Sequence, residues 1–211
     1  MIIGNALVGV GSNNFFLRLF LQLPSSLYIV SQSSAFLLTF HPEQKGAIMI
    51  SDRMADLLNR QMNREFFNSH LYLSMATYFY DINLDGFAHW MEKQAEEETE
   101  HAMRLYAQLQ ERGARIKVGC VEAPPLEWSS PLAAFEDAYA HECKVSGEFD
   151  ELVEEALALK DYATLNFLQW FLEEQVEEEA SVDEVVQKLK MAGNSPGALL
   201  MLDKKYGARE D

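Results

Sequence analysis

Four glutamates, Glu65, Glu98, Glu142 and Glu178, each interrupt a run of residues spaced three and four apart that is otherwise mainly apolar. The runs are Met54, Leu58, Met62, Glu65, Ser69, Tyr72, Ala76; Phe87, Met91, Gln94, Glu98, His101, Leu105, Leu109; Phe135, Ala138, Glu142, Val145, Phe149, Leu152, Ala156; and Leu168, Phe171, Gln175, Glu178, Val182, Val185, Leu189. That spacing is the inward stripe of a helix, so each acid is expected in a core. An unpaired buried carboxylate costs on the order of several kcal/mol, and four facing one another repel as well. A core built this way must protonate its acids or hold cations, and two divalent metals balance four charges. In Glu98-x-x-His101 the side chains stack on one helix face, as shared ligands require. Carboxylate oxygen with a single imidazole nitrogen suits iron or manganese better than zinc. Any one glutamate of an acidic protein is more often solvated. Four mid-stripe acids on four helices, with an ExxH among them, match the inward-projecting ligands of a carboxylate bundle.

The elements that must position these residues are all helical. From Ser51 onward Gly and Pro are sparse and no stretch alternates with a period of two. A first helix is expected from Ser51 to about Asn83, before Asp85-Gly86, and a second from there to Arg112, stopped by Gly113. Ala114 to Ser129, with Gly119, Pro124 and Pro125, reads as a loop. Ser130-Pro131 caps a third helix that ends near Lys160. Asp161 caps a fourth that reaches about Met191, and a short fifth fits Ser195-Pro196 to Tyr206, closed by Gly207. Two hairpins with short turns, joined by one long crossover, make an all-α four-helix bundle.

Composition narrows the partners. The 211 residues carry 17 Lys+Arg against 33 Asp+Glu, a net charge of -16, and 48% are hydrophobic. Phosphate binders gain affinity by neutralising charge with Lys and Arg, so neither nucleic acid nor an anionic membrane is expected. The apolar content excludes a disordered acidic chain. Cys120 and Cys143 make no disulfide framework and no CxxC, and are expected as free thiols in a reducing, cytoplasmic compartment.

Residues 1–48 differ in kind. Arg18, Glu43 and Lys45 are their only charges apart from His41, which leaves a net -17 on residues 49–211. The run Phe15 to Leu23, broken by Arg18 and Gln22, is far short of the roughly 20 apolar residues of a membrane helix. Three readings fit: a transit peptide, a degenerate export signal, or translation from upstream of the real start. Met49-Ile50-Ser51-Asp52 is a plausible helix entry and favours the last. The expected division is an N-terminal extension over 1–48 and the bundle domain over 49–211.

The segments Asn63-Arg-Glu-Phe-Phe-Asn-Ser-His-Leu-Tyr72, Glu97-Glu-Thr-Glu-His101, His141-Glu142 and Asn166-Phe-Leu-Gln-Trp-Phe-Leu-Glu-Glu-Gln-Val-Glu-Glu178 closely resemble the prokaryotic non-haem ferritins. The resemblance spans 49–206, with the Pro124-Pro125 crossover and the short last helix. It implies a cage of twenty-four identical subunits that oxidises Fe(II) with O2 or peroxide, a ferroxidase, and stores Fe(III) as mineral, without haem. It implies a first iron site of Glu65, Glu98 and His101, with Glu98 bridging to a second held by Glu142 and Glu178 near Gln175. Glu97, Glu174 and Glu177 match an accessory third site that shares Glu178. Tyr72 matches a tyrosine implicated in electron transfer beside the di-iron centre, although a buried tyrosine with a satisfied hydroxyl serves a core equally well.

One departure from the wider superfamily stands out: Gln175-x-x-Glu178 replaces the second ExxH of bacterioferritins and rubrerythrins. A second site without histidine is expected to hold iron more weakly, as suits metal passing into mineral. The rival class, a di-iron oxidase or peroxide reductase of rubrerythrin type, lacks that ExxH and any CxxC module to feed electrons. A non-catalytic cage subunit would lack ligands. His70, His89 and His141 have no partnered carboxylate in the stripes and are expected at the surface or an interface. Glu151 to Glu155 are expected as a solvated face, and Leu199, Leu200 and Leu202 as packing residues.

Overall fold

The computed structural model describes residues 49–208; residues 1–48, which hold the expected N-terminal extension, and residues 209–211 lie outside the described residues. Five helices follow: α1 (Asp52–Asp81), α2 (Asp85–Glu111), α3 (Pro131–Ala158), α4 (Tyr162–Ala192) and α5 (Pro196–Tyr206). Each end falls within about two residues of its expected place, because local chemistry sets it. Ser51, Ser130, Asp161 and Ser195 accept hydrogen bonds from the backbone N–H of Met54, Ala133, Thr164 and Ala198, the N-cap arrangement of a helix start. The first hairpin turns through Asn83 at φ +58°, a left-handed conformation that Asn tolerates better than most residues.

α1 packs chiefly on α2 and α3 on α4, while α1 also meets α3, and α5 packs against α2 and α4. With three-residue turns inside each hairpin, this is an up-down four-helix bundle with one long crossover and a short C-terminal helix. Every member of the four stripes is buried. The apolar members form two separate clusters. One gathers Met75, Phe79, Phe87, Trp90, Phe135 and Val185; the other gathers Met54, Leu58, Met62, Leu105, Phe149 and Phe171. Between them lies a polar layer of Glu65, Asn68, Gln94, Glu98, His101, Glu142, Gln175 and Glu178, all buried.

The crossover is stitched to α1 by asparagines one turn apart. Asn59 donates to Arg115 O at 3.0 Å and accepts from Lys117 N at 2.6 Å. Asn63 donates to Lys117 O at 2.8 Å and accepts from Gly119 N at 2.6 Å, and Ser74 donates to Pro125 O. α2 begins at Leu84, which has no capping side chain; Asp203 of α5 supplies one, accepting from Phe87 N at 2.9 Å. The close approach needs Gly86, since a Cβ there would lie 1.9 Å from Asp203 O.

Asn59 is buried and holds the crossover by both faces of its amide. Replacing it with Ala is expected to cost about 1–3 kcal/mol, the usual penalty for stranding buried polar partners. A lowered urea midpoint in the assembled protein, with the helical circular dichroism of the folded state unchanged, is the expected result.

Candidate metal centre

The polar layer assembles because α1 to α4 each bring one inward glutamate to the same depth. Glu65, Glu98 and His101 place one ligand atom each within 4.8 Å of one another, all three buried. His101, Glu174 and Glu178 form a second trio at the same spacing, with Glu174 half-buried, so His101 is common to the two groups. Glu142 belongs to neither trio. Its carboxylate is engaged by the Tyr72 hydroxyl at Oε1 and by Gln175 Nε2 at 3.3 Å to Oε2. Tyr72 is fully buried and meets Trp90 edge-on at 6.4 Å between ring centroids. Glu97 is half-buried and close enough to Glu178 to act on its charge, whereas Glu177 is exposed on α4.

Each acid is braced by a neutral donor. Glu65 accepts from Gln61 Nε2 and Asn68 Nδ2, both at 2.7 Å; Glu98 accepts from Asn68 at 3.2 Å; Glu178 accepts from Gln94 at 2.6 Å. Among the described residues no buried side-chain nitrogen or oxygen lacks a hydrogen-bond partner. The His101 ring is held edge-on against Trp170 at 5.4 Å and Phe171 at 5.9 Å, and the Arg104 guanidinium lies 3.9 Å above Trp170.

Burial dominates the electrostatics. It pushes Glu65 and Glu98 well above the usual carboxylate range, with Glu98 adding to the rise at Glu65 and Glu142 to that at Glu98. Burial also raises Glu142, against the opposing hydrogen bonds from Tyr72 and Gln175. It carries Glu178 to about 8, helped by the charges of Glu142 and Glu97. Four carboxyls that resist ionisation in one layer accept a cation by exchanging protons for it.

His141 lies at the edge of the layer. Its ring is partly buried, with Nε2 2.7 Å from Asn68 Oδ1. Burial, with Arg64 and Lys144 nearby, lowers its pKa to about 4. His70 is exposed and bonds through Nδ1 to Phe66 O, and His89 lies 4.0 Å from Glu92. Glu151 and Glu154 are solvated, and Glu155 pairs with Arg53 at 2.5 Å. Cys120 and Cys143 are exposed free thiols. The bracing residues Gln61 and Asn68 had no expected role, although an amide one turn from a stripe glutamate was a signal in plain view. No helix among the described residues is long and apolar enough to cross a membrane.

A bundle whose four helices carry glutamates and an ExxH into a braced, water-poor layer belongs to the carboxylate metal proteins as a class. The family model for the ferritin-like domain matches residues 55–192. The chain is 42% identical over 161 residues to a bacterial non-heme ferritin of Bacteroides fragilis, a match covering 76% of this chain and all of the relative. It is 40% identical to one of Staphylococcus aureus, over 76% of this chain and 97% of that relative. Among solved structures it is similar to the open-pore ferritin of the archaeon Archaeoglobus fulgidus, with a TM-score of 0.76 and 52% identity, covering 76% of this chain and 99% of that one. The chain belongs to the ferritin family.

The raised carboxyls set a pH dependence with a definite sign. A group whose folded pKa lies above its unfolded value stabilises the fold fully below the unfolded value, and that contribution is lost as pH rises through the folded one. For Glu178 the window runs from 4.5 to about 8. The melting temperature of metal-free protein is therefore expected to fall across that window. Glu178→Gln is expected to flatten the fall, and a bound divalent cation to reverse it most strongly at the alkaline end.

Proposed function

We propose that the protein stores iron and is a ferroxidase, oxidising Fe(II) with O2 or peroxide at an intra-subunit pair of iron sites and holding the Fe(III) product as mineral inside a 24-subunit cage in the cytoplasm. The observation that carries this reading is the buried trio Glu65, Glu98 and His101 beside Glu142 and Glu178. Iron is substrate and cargo here. Glu65 and His101 hold the first Fe(II), Glu98 bridges, and Glu142 and Glu178 hold the second, with Gln175 beside it. Gln175 donates to Glu142, so the second site has oxygen ligands alone and releases its iron more readily. Glu174, with Glu97 and the exposed Glu177, forms an accessory third position that shares Glu178.

The chemistry asks for two electrons at once, and two adjacent Fe(II) ions supply one each to the oxidant. Carboxylates serve this better than fixed nitrogen ligands, because they shift between terminal and bridging modes as the iron charge rises. Tyr72, with its hydroxyl on Glu142, stands ready to give a further electron as its proton passes to that carboxylate. Leu73, Ile82, Val118, Leu126, Leu200 and Met201 are among the exposed apolar side chains, the kind of surface that contacts between copies of a chain cover. The relatives are named non-heme ferritins, and no haem is proposed.

Anaerobic Fe(II) loading followed by air tests the proposal. Fast oxidation with iron retained far beyond the two ions of a di-metal site is the expected result; release of all iron beyond that pair, with steady turnover of an added reductant, would instead indicate an oxidase. Glu98→Ala is expected to abolish the fast phase while assembly survives. A fast phase of undiminished rate in that variant would overturn the site.

A further inference from the structure

Asn68 is fully buried in the polar layer and contacts three groups at once. Its Nδ2 donates to Glu65 Oε2 at 2.7 Å and to Glu98 Oε2 at 3.2 Å, and its Oδ1 lies 2.7 Å from His141 Nε2. Chemistry fixes which way the amide points. Once metal has displaced their protons, Glu65 and Glu98 only accept hydrogen bonds, so the nitrogen must face the two glutamates; the oxygen then faces His141, whose Nε2 carries a hydrogen and donates. Turned over, the amide would set its oxygen against two carboxylates and its NH2 against the imidazole N–H. His141 comes from a different helix, α3, one residue before Glu142, and its ring lies 6.1 Å from that of Phe67. The amide is thus oriented from a different helix, by a ring nitrogen engaged with Asn68 Oδ1.

Resting on the assignment of Glu65, Glu98 and His101 as the first iron position, we propose that Asn68, oriented by His141, is a positioning pair that presets the spacing of Glu65 and the bridging Glu98. A carboxylate offers about four lone-pair directions, so the amide can occupy one on each glutamate and leave others for metal. Gln61 holds the remaining oxygen of Glu65, which leaves that side chain little freedom. Glu98 has Asn68 as its amide brace, so the pair matters most for the acid shared by both irons. Without it the two acids, which repel once metal displaces their protons, have no shared donor to hold their spacing, and the first metal must order them as it binds. Partners of this kind around metal ligands typically change metal affinity by about 10–100-fold when removed.

The test uses full-length protein loaded anaerobically with Co(II), read by its visible d–d bands and by binding. Asn68→Leu keeps the approximate volume and removes the donor. It is expected to weaken the first Co(II) by about 10–100-fold and to shift its bands, with less effect on the second ion. His141→Phe is expected to act in the same direction more weakly, and His141→Gln, which restores an N–H donor, to recover part of the loss. Parent-like affinity and spectrum in assembled Asn68→Leu overturn the proposal. If Asn68→Leu does not assemble, parent-like behaviour of His141→Phe overturns it. Glu98→Ala separates the two levels: Co(II) bound in the bundle of that variant contradicts the metal position itself, whereas its loss beside a parent-like Asn68→Leu contradicts only the positioning pair.

Discussion

The structure turns on one costly arrangement: four glutamates held at a single depth in the middle of a helical core. Two apolar clusters close the layer above and below, and they are what keep water from it. Left ionised and unpaired, such acids would oppose folding by several kcal/mol each on the order of magnitude usual for buried charge. The protein tolerates them through neutral donors, Gln61, Asn68, Gln94, Tyr72 and Gln175, each aimed at a carboxylate oxygen. Amides and a phenol brace without neutralising, so the layer keeps its demand for positive charge. A salt bridge to Lys or Arg would have satisfied the same acids and removed that demand.

The rest of the fold serves this layer. Three-residue turns fix the partners within each hairpin, and the crossover, fastened along α1 by Asn59, Asn63 and Ser74, fixes how the hairpins meet. α5 reaches back to cap α2 through Asp203 and thereby steadies the helix that contributes both Glu98 and His101. The two ligand trios share His101, whose ring sits edge-on against Trp170 and Phe171 with Nδ1 3.6 Å from Glu98 Oε2. Packing against these two rings helps to hold the imidazole plane.

Most of this was legible in the residues because the governing signals are local. Helix ends follow from Ser51, Ser130-Pro131, Asp161 and Ser195, and the stripes from their period, so the sequence alone puts the four glutamates in one layer. What escaped was set by contacts distant in sequence. His141 falls beside the α3 stripe, and only the approach of α1 brings Asn68 to it. Asn59 and Asn63 look like ordinary polar residues until the crossover lies along them, and Asp203 is 116 residues from the backbone it caps. Glu142, outside both trios, is likewise held by a distant residue, Tyr72, 70 positions away.

The most direct measurement is anomalous diffraction at the iron edge from crystals soaked anaerobically with Fe(II). Two peaks per subunit inside the bundle, roughly 3.5–4 Å apart as in other two-metal sites, with one beside Glu65 and His101 and the other beside Glu142 and Glu178, are the predicted result. Iron confined to the surface, with no peak touching Glu98, would contradict the account.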